Sequence, residues 1–287
     1  MNNILCLTDF SEAANNALRY AAWFAAETKS KLTILNVVHD KAFFAGIGRL
    51  NEDELTQKLD QANQNLMACR EFISGKTTST QVQCDYRAAH GDLGDVVNKI
   101  SREENFDLVI MGTTGAGHDT LEELMLGSNA IAMFEHLQVP VLAVPFSFTK
   151  RQLKHLVFAT DFQPLDEQVV NQAMAMCSGF EAHLHLLHVT EEKSKAAEQK
   201  LIDFTKPFAN RYDHLHATCI THKDTERGVL TYSKEVYADI IVLAGKEYGF
   251  FGRIFNQSTT EMVSYQTKVP LLVFPVAWKK SREKSLA

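Results

Sequence analysis

The sequence of 287 residues lacks the signs of a disulfide framework and of a membrane segment. Its cysteines are odd in number and form no C-x-x-C pair, which is typical of reduced thiols that fill a core. They are Cys6, Cys69, Cys84, Cys177 and Cys219. No stretch approaches about 18 unbroken apolar residues, and no charged leader with a long apolar segment begins the chain. These absences predict a cytoplasmic protein without a membrane partner.

Clusters of basic residues are scarce as well. The formal net charge is −6, and lysine and arginine are scattered along the chain, apart from a short basic stretch at 279–284. Proteins that bind nucleic acid concentrate their basic residues on one face or along one helix. The sequence therefore predicts no nucleic-acid partner.

Motifs of covalent and metal-dependent catalysis are also missing. The chain contains no G-x-S-x-G, no H-E-x-x-H and no S-x-x-K in the context of a catalytic serine. We therefore assign no catalytic residue and no metal ligand, and the prediction is a binding protein rather than an enzyme.

The chain does contain one unit written twice. Four segments of the first half recur in the second half in the same order: 2–10 with 154–162, 31–38 with 183–190, 107–112 with 239–245, and 139–145 with 269–275. The offset falls from 152 for the first pair to 130 for the last, so the second unit has lost residues, mostly between its second and fourth strands. This repeat predicts two domains, 1–148 and 149–279.

Apolar runs that predict buried strands alternate with helical periodicity in each unit. This alternation predicts two doubly wound α/β domains, each with a five-stranded, mostly parallel sheet flanked by helices in a Rossmann-like arrangement. Ligands of such sheets bind beyond the carboxyl ends of the strands, where the strand order reverses. The candidate site of the first unit therefore lies in the segments that follow its strands: 7–11, 37–40, 89–92 and 111–130.

The segment 111–130 holds four glycines between an apolar run and a helical pattern. Glycine lets the backbone approach a ligand closely, and a loop that leads into a helix N-terminus favours an anion such as phosphate. A tight turn that needs glycine only for its geometry is the alternative. Two common phosphate motifs do not fit, because His118 and Asp119 stand where a P-loop needs Lys and Ser/Thr, and the glycine order differs from the dinucleotide fingerprint.

Three motifs together resemble the universal stress protein family in its tandem form: LTDFSEAANNAL after the first strand, MGTTGAG…LGSNA after the fourth, and VPVLAVP at the end. The resemblance covers nearly the whole chain, once per half. It implies an adenine nucleotide alpha hydrolase-like fold and a stress-response sensor or regulatory module. It also implies that the first domain binds ATP, or AMP or ADP, with or without Mg²⁺.

The resemblance further implies which residues hold the nucleotide. The family loop is G-x2-G-x9-G-[S/T], whose amides and hydroxyl bind the phosphates and ribose. An aspartate after the first strand and a backbone position at the end of the second hold the ribose and adenine. In this chain the expected ligand residues are Thr8, Asp9, Val37, Met111, Gly112, Gly115, Gly117, Gly127, Ser128 and Asn129.

Some of these assignments have alternatives. Eleven residues separate Gly115 from Gly127, and the nine residues of the family pattern are recovered only from Gly117. Asp9 has a second interpretation as the cap of the following helix, although Ser11 is also available as that cap. The hydroxyl of Thr8 can instead form a local hydrogen bond.

The second unit keeps Thr160, Asp161 and Phe162 but departs from the loop pattern. Glu247 would repel a phosphate, and Gln257 stands where the pattern has glycine. We therefore expect the second unit to be a degenerate partner of a nucleotide-binding first unit.

Two other functions are open. One is slow ATP hydrolysis; efficient phosphoryl transfer is not expected because the loop of the first unit has no Lys or Arg. The other is an interaction scaffold without a small ligand; the family resemblance implies that its last strand, 139–145, can pair antiparallel with 269–275 to make a pseudo-dimer within one chain. Further homo-oligomers are open in either case.

Histidines are concentrated in the second half. His183 and His185 are predicted to share one face of a strand, and His214 and His216 the same face of its neighbour. Four imidazoles so placed suit a metal ion, but the favoured interpretation is that they are solvated residues of an edge strand.

Overall fold

The computed structural model describes residues 1–38, 51–74, 82–113, 137–244, 268–275 and 278. The first half contains β1 (Asn3–Leu7), α1 (Glu12–Thr28), β2 (Lys31–Val38), α2 (Glu52–Ser74), β3 (Cys84–His90), α3 (Leu93–Glu103), β4 (Leu108–Thr113) and β5 (Val141–Pro145). The second half contains β6 (His155–Ala159), α4 (Pro164–Phe180), β7 (His183–Thr190), α5 (Lys195–Ala209), β8 (Leu215–Thr221), α6 (Thr225–Glu235), β9 (Ile240–Ala244) and β10 (Leu271–Phe274).

The described strands form one sheet in the order β3-β2-β1-β4-β5-β10-β9-β6-β7-β8. Within each half every pair of neighbouring strands is parallel, as expected for strands joined by crossover helices. The predicted fold class is therefore confirmed: each half is a five-stranded α/β unit whose strand order reverses beside its first strand.

The two halves meet where β5 and β10 pair antiparallel. Leu271 lies opposite Ala143, and Val273 lies opposite Val141. The ladder is short because Pro140 and Pro270 precede the two strands and proline has no amide hydrogen to donate. The predicted pairing of these segments within one chain is confirmed.

The sheet is covered on both faces, so its strands are apolar on both sides. On β1, Ile4 belongs to a core that includes α1, α2, α4 and α5, whereas Leu5 belongs to the opposite core with α3 and α6. Across the seam, Phe180 of α4 packs against Trp23 and Phe24 of α1, with ring centroids 5.6 Å and 5.4 Å apart. The two units therefore share one continuous core.

The cysteines are free thiols, as predicted. Cys6, Cys69 and Cys177 are buried, and Cys84 and Cys219 are partly buried. Burial raises the pKa of Cys177 to about 12, so this thiol is held in its unreactive form.

The second unit is shorter in one connection. From the end of β2 at Val38 to the start of β3 at Cys84 there are 45 intervening residues, whereas 24 lie between Thr190 and Leu215. The loss falls between the second and third strands. No helix within the described ranges is long and apolar enough to cross a membrane.

Candidate functional site

Five of the ten expected ligand residues lie at the carboxyl ends of the strands of the first unit, where its strand order reverses. β1 pairs with β2 on one side and with β4 on the other. Three groups of residues therefore meet at the carboxyl ends of these strands: Thr8 and Asp9 after β1, Val37 at the end of β2, and Met111 and Gly112 at the end of β4. Five other expected residues lie outside the described ranges: Gly115, Gly117, Gly127, Ser128 and Asn129.

The turn from β1 into α1 is held by its own side chains. Phe10 has a φ of 67°, which turns the chain sharply after the strand. The amide of Phe10 donates to Thr8 Oγ1 at 3.0 Å, and the amide of Ser11 donates to Asp9 Oδ1 at 3.0 Å. Ser11 Oγ then accepts from the amide of Ala14 and is the helix cap.

Thr8 is a structural residue of this turn. Its side chain is buried, its amide donates to Leu35 O, and its carbonyl accepts from Asn36 Nδ2 at 2.8 Å. The local hydrogen bond expected for its hydroxyl is confirmed. The contribution of Thr8 is therefore to fix the position of the residue that follows it.

Asp9 has the exposure that a ligand contact requires. Its side chain is exposed, and one carboxylate oxygen accepts from Ser11, while Oδ2 has no hydrogen-bond partner within the described part of the chain. A carboxylate held from one side in this way is a rigid acceptor for hydroxyl groups.

The backbone of Val37 has no partner strand on its β1 side among the described residues. The pairing of β1 with β2 ends at Leu7 and Leu35, so β2 continues for three residues beyond its neighbour. The carbonyl of Leu35 points toward β1, where it accepts from Thr8, and the carbonyl of Val38 points toward β3, where it accepts from Gly91. Because successive residues of a parallel strand alternate in direction, the N–H and C=O of Val37 both point to the side that β1 has left.

Met111 and Gly112 have packing roles in β4. The side chain of Met111 is buried in the core on the α3 face, and its backbone lies in the ladder with β5, where Met111 pairs with Ala143. A Cβ atom at Gly112 would lie 2.6 Å from Ala13 O, which belongs to the first turn of α1. Glycine at this position lets the N-terminus of α1 lie directly against the sheet.

Asn36 is a site residue that the sequence reasoning missed. Its side chain is buried and donates to Thr8 O, so it ties the turn after β1 to β2. The available signal was a single amide side chain inside the apolar run of β2. In the second unit His188 has the same position, and its Nδ1 lies 2.8 Å from Thr160 O.

The matching turn of the second unit is closed by an acid. Asp166 is buried at 1% exposure, and its Oδ2 accepts from Thr160 Oγ1 at 2.6 Å and from the amide of Gln163 at 3.0 Å. Burial raises the pKa of Asp166, although these hydrogen bonds oppose the rise. Ala14 occupies the corresponding position of the first unit, whose helix carries its first-turn acid at Glu12 instead.

The carboxylate of Asp161 also differs from that of Asp9. Its Oδ2 accepts from the side chain of Gln163 at 3.0 Å, whereas the first unit has Ser11 in the position of Gln163. The segment of the second unit that carries Glu247 and Gln257 lies outside the described residues.

The histidines of the second half are brought together as predicted, and His155 joins them. The interpretation of all four as solvated residues of an edge strand is wrong for His185, which is only 8% exposed. β8 is the edge strand, and β7 lies between β6 and β8. Among the described residues, no group of His, Cys, Asp and Glu is placed to hold a metal ion.

Comparison with known proteins gives the family of both halves. The model of the universal stress protein family matches residues 1–145 and again residues 152–275. Over 297 residues the chain is 21% identical to Universal stress protein Slr1230 of Synechocystis sp., an alignment that covers 96% of this chain and 100% of that protein. It is 28% identical over 155 residues to Universal stress protein MJ0577 of Methanocaldococcus jannaschii, which covers 49% of this chain and 93% of that protein.

A solved structure has the same fold over the whole chain. The crystal structure of a universal stress protein from Archaeoglobus fulgidus superposes with a TM-score of 0.68 at 19% identity, covering 96% of this chain and 98% of that one.

Proposed function

Because the chain belongs to the universal stress protein family, in its tandem form, we propose that its first unit binds an adenine nucleotide and that the protein is a stress-response sensor or regulatory module. The ligand is ATP, ADP or AMP. We place the division between the units at 148/149, between the two matched ranges. The observation that carries the proposal is the backbone of Val37, whose N–H and C=O point to the side of β2 that β1 has left. The exposed carboxylate of Asp9 follows β1 at the same end of the sheet.

Adenine suits the open backbone of Val37. The base presents a ring-nitrogen acceptor next to an exocyclic amino donor on one edge, and a backbone N–H and C=O that point the same way complement that pair. The Oδ2 atom of Asp9 then accepts from a ribose hydroxyl. The phosphates extend over the N-terminal end of α1 toward the glycine loop that follows β4, where helix and loop amides favour an anion.

The second unit serves as a covalent partner in this proposal. The carboxylate of Asp166 at the start of α4 would repel phosphate; Ala14 is the corresponding residue of the first unit, whose helix carries Glu12 in its first turn. In the loop after the fourth strand of the second unit, Glu247 would also repel a phosphate and Gln257 stands where the family pattern has glycine. We therefore expect at most one nucleotide per chain.

Catalysis is not part of the proposal. The loop of the first unit contains no Lys or Arg to stabilise the charge of a transferred phosphoryl group. Hydrolysis of a bound ATP, with or without Mg²⁺, is therefore expected to be slow.

The decisive experiment identifies the ligand and compares the two units. Mass spectrometry of nucleotide released from the purified protein should find an adenine nucleotide at one equivalent or less per chain. In calorimetry, Asp9→Ala should weaken binding by at least about tenfold, because loss of a hydrogen bond to a charged group costs about 1.5–3 kcal/mol. Asp161→Ala, the matched change in the second unit, should leave the affinity unchanged.

Other results would reject specific parts of the proposal. Two equivalents per chain, or equal losses from Asp9→Ala and Asp161→Ala, would show that the second unit also binds. A protein without nucleotide and without a thermal shift on adding ATP would favour the scaffold function, which the antiparallel pairing of β5 with β10 supports.

A further inference from the structure

Five histidines gather on one face of the second unit, and we call them the histidine cluster: His155, His183, His185, His214 and His216. They lie at or next to the amino ends of β6, β7 and β8. The candidate site described above lies at the carboxyl ends of strands, so the cluster is at the opposite end of the sheet. His185 contacts Tyr232 of α6, which places the cluster on the sheet face that α6 covers.

The imidazole rings are in close contact: three ring pairs are stacked, and His183 meets His214 edge-on. Ring centroids lie 5.2 Å apart for His155 and His183, 5.1 Å for His183 and His216, 4.9 Å for His185 and His216, and 4.8 Å for His183 and His214. Exposure rises from the buried His185 to His214 and His216 on the edge strand β8. The cluster therefore connects the interior of the second unit to its surface.

Two ring-to-ring hydrogen bonds limit how many protons the cluster can take up without losing its contacts. His155 Nδ1 lies 3.2 Å from His185 Nε2, and His183 Nδ1 lies 2.8 Å from His216 Nε2. Each N···N contact accommodates one hydrogen, because one nitrogen must accept what the other donates. Both rings of a pair therefore cannot be protonated unless their hydrogen bond is broken.

The groups around the cluster give little compensation for positive charge. His185 Nδ1 contacts the hydroxyl of Tyr232, which in turn bonds to Thr218. Asp239 favours a proton on His155, and its carboxylate already accepts from the amides of Lys154 and His155. Lys154 adds a positive charge that opposes protonation of His155.

Burial and the neighbouring rings lower the pKa of three of the five histidines. Burial, together with the other rings of the cluster, lowers the pKa of His155 and of His216. Burial, followed by the neighbouring His216, His155 and His183, lowers the pKa of His185 to about 4. These three side chains bind protons less readily in the folded chain than in the unfolded one.

The first unit fills the same place with an ion pair. Lys31 Nζ lies 2.5 Å from Asp85 Oδ2, and these residues stand where the second unit has His183 and His216. Thr33 stands where the second unit has His185. Lysine and aspartate do not change charge between about pH 5 and pH 7, so this pair is insensitive to that range.

We propose that the histidine cluster makes the second unit an acid-responsive domain, which loosens along β6, β7 and β8 when protons enter the cluster, while the first unit keeps its structure. The stability that the neutral cluster provides is complete at neutral pH. It is lost as the pH falls below about 6.5, because the unfolded chain then takes up protons that the folded chain excludes. The response needs no metal, since the rings bond to one another through their nitrogen atoms.

Urea unfolding of the full-length chain between about pH 7.5 and pH 5 tests the proposal. Trp278 packs on Phe274 of β10 with ring centroids 4.7 Å apart, so its fluorescence in a Trp23→Phe background reports on the second unit. The folding equilibrium constant should fall at least about tenfold between pH 7 and pH 5. His185→Gln, and separately His183→Lys combined with His216→Asp to install the ion pair of the first unit, should each flatten this dependence.

His90→Gln is the matched control, since His90 is an exposed histidine of the first unit and should leave the dependence unchanged. The imidazole resonances of the parent protein give a test that does not depend on variants: His185 should titrate well below the ordinary histidine pKa of about 6.5. Titration of His185 near pH 6.5, or an unchanged acid loss in both cluster variants, would overturn the proposal. Stabilisation by equimolar Zn²⁺ that disappears in His185→Gln would also overturn it, because the cluster would then be a metal site.

Discussion

Gly112 lets the first turn of α1 lie against the backbone of β4. The nearest obstacle to a side chain there is the main chain of Ala13, which cannot rotate away as a flexible side chain would. Ala244 occupies the matching position of β9, so the second unit holds its helix at a distance that tolerates a methyl group. The glycine of the family loop therefore has a packing role in this chain besides any contact with a ligand.

This packing role gives a prediction for Gly112→Ala. Overpacking against rigid neighbours typically costs about 1–3 kcal/mol, and we expect a loss of unfolding free energy in that range. Urea denaturation at neutral pH measures it. The matched control is Ala244→Gly, which creates no clash and should cost less than about 1 kcal/mol. A Gly112→Ala variant as stable as the parent would show that α1 moves aside readily and that the glycine serves only the ligand.

Asp9 and Asp161 show how one residue type is used differently in two copies of a fold. Both follow the first strand of their unit, and both lie three residues before the first residue of the next helix. The carboxylate of Asp9 accepts from the backbone amide of Ser11, whereas the carboxylate of Asp161 accepts from the side chain of Gln163. The hydrogen-bond donor to the carboxylate therefore changes with the neighbour two positions away.

At the scale of elements, α1 is fixed to the connection between the two units. Asn16 is 2% exposed, and its Nδ2 donates to Pro145 O at 2.9 Å and to Phe148 O at 3.0 Å. Arg151 Nη2 in turn donates to Asn16 Oδ1 at 3.1 Å. One amide side chain thus joins the helix that begins at the candidate site to the end of β5 and to the linker.

Removing this amide should destabilise the chain. Asn16→Ala leaves two buried carbonyl oxygens without their donor, and such a loss costs about 1–3 kcal/mol in unfolding free energy. Thermal or urea unfolding measures the change. Asn15→Ala is the control, because Asn15 is only half-buried and makes a long 3.5 Å contact with Phe10 O. If the two variants lost equal stability, the anchoring role of Asn16 would be wrong.

At the scale of the whole molecule, the antiparallel pairing of β5 with β10 makes one sheet from two units. A separate first unit would expose the edge of β5, which carries Val141, Leu142 and Ala143 and is an open template for another strand. Covalent linkage makes the pairing intramolecular, at an effective concentration on the order of millimolar. A second unit without a nucleotide is therefore still useful as a fixed partner.

The fragment 1–148 tests this interpretation of the second unit. We expect it to self-associate through 139–145 and to bind nucleotide, because the described ligand residues all lie in the first unit. Sedimentation gives the association state and calorimetry gives the affinity. A folded monomer would contradict the edge-pairing role, and a folded dimer without affinity would show that the second unit helps to build the site.

The sequence by itself determined the repeated α/β architecture and the edge of the sheet where the candidate site lies. Alternating apolar runs and helical periods are local patterns, and the carboxyl ends of parallel strands follow from them directly. Asp9 and Val37 lie at these ends of the strands, and their roles as nucleotide ligands, which the family resemblance implies, stay predictions. The pairing of β5 with β10 was also predicted, because the family resemblance implies it and the segments 139–145 and 269–275 are identical at four of seven positions.

Only the tertiary structure decided how individual residues meet across long separations in the chain. The main chain of Ala13 leaves no room for a side chain at Gly112, and β8 and Tyr232 of α6 pack against His185. Asp166 closes the turn of the second unit because α4 begins at a position that brings its carboxylate to Thr160. These contacts depend on the distance and angle between packed elements, which no local pattern of the sequence specifies, because many residue types satisfy the same periodicity.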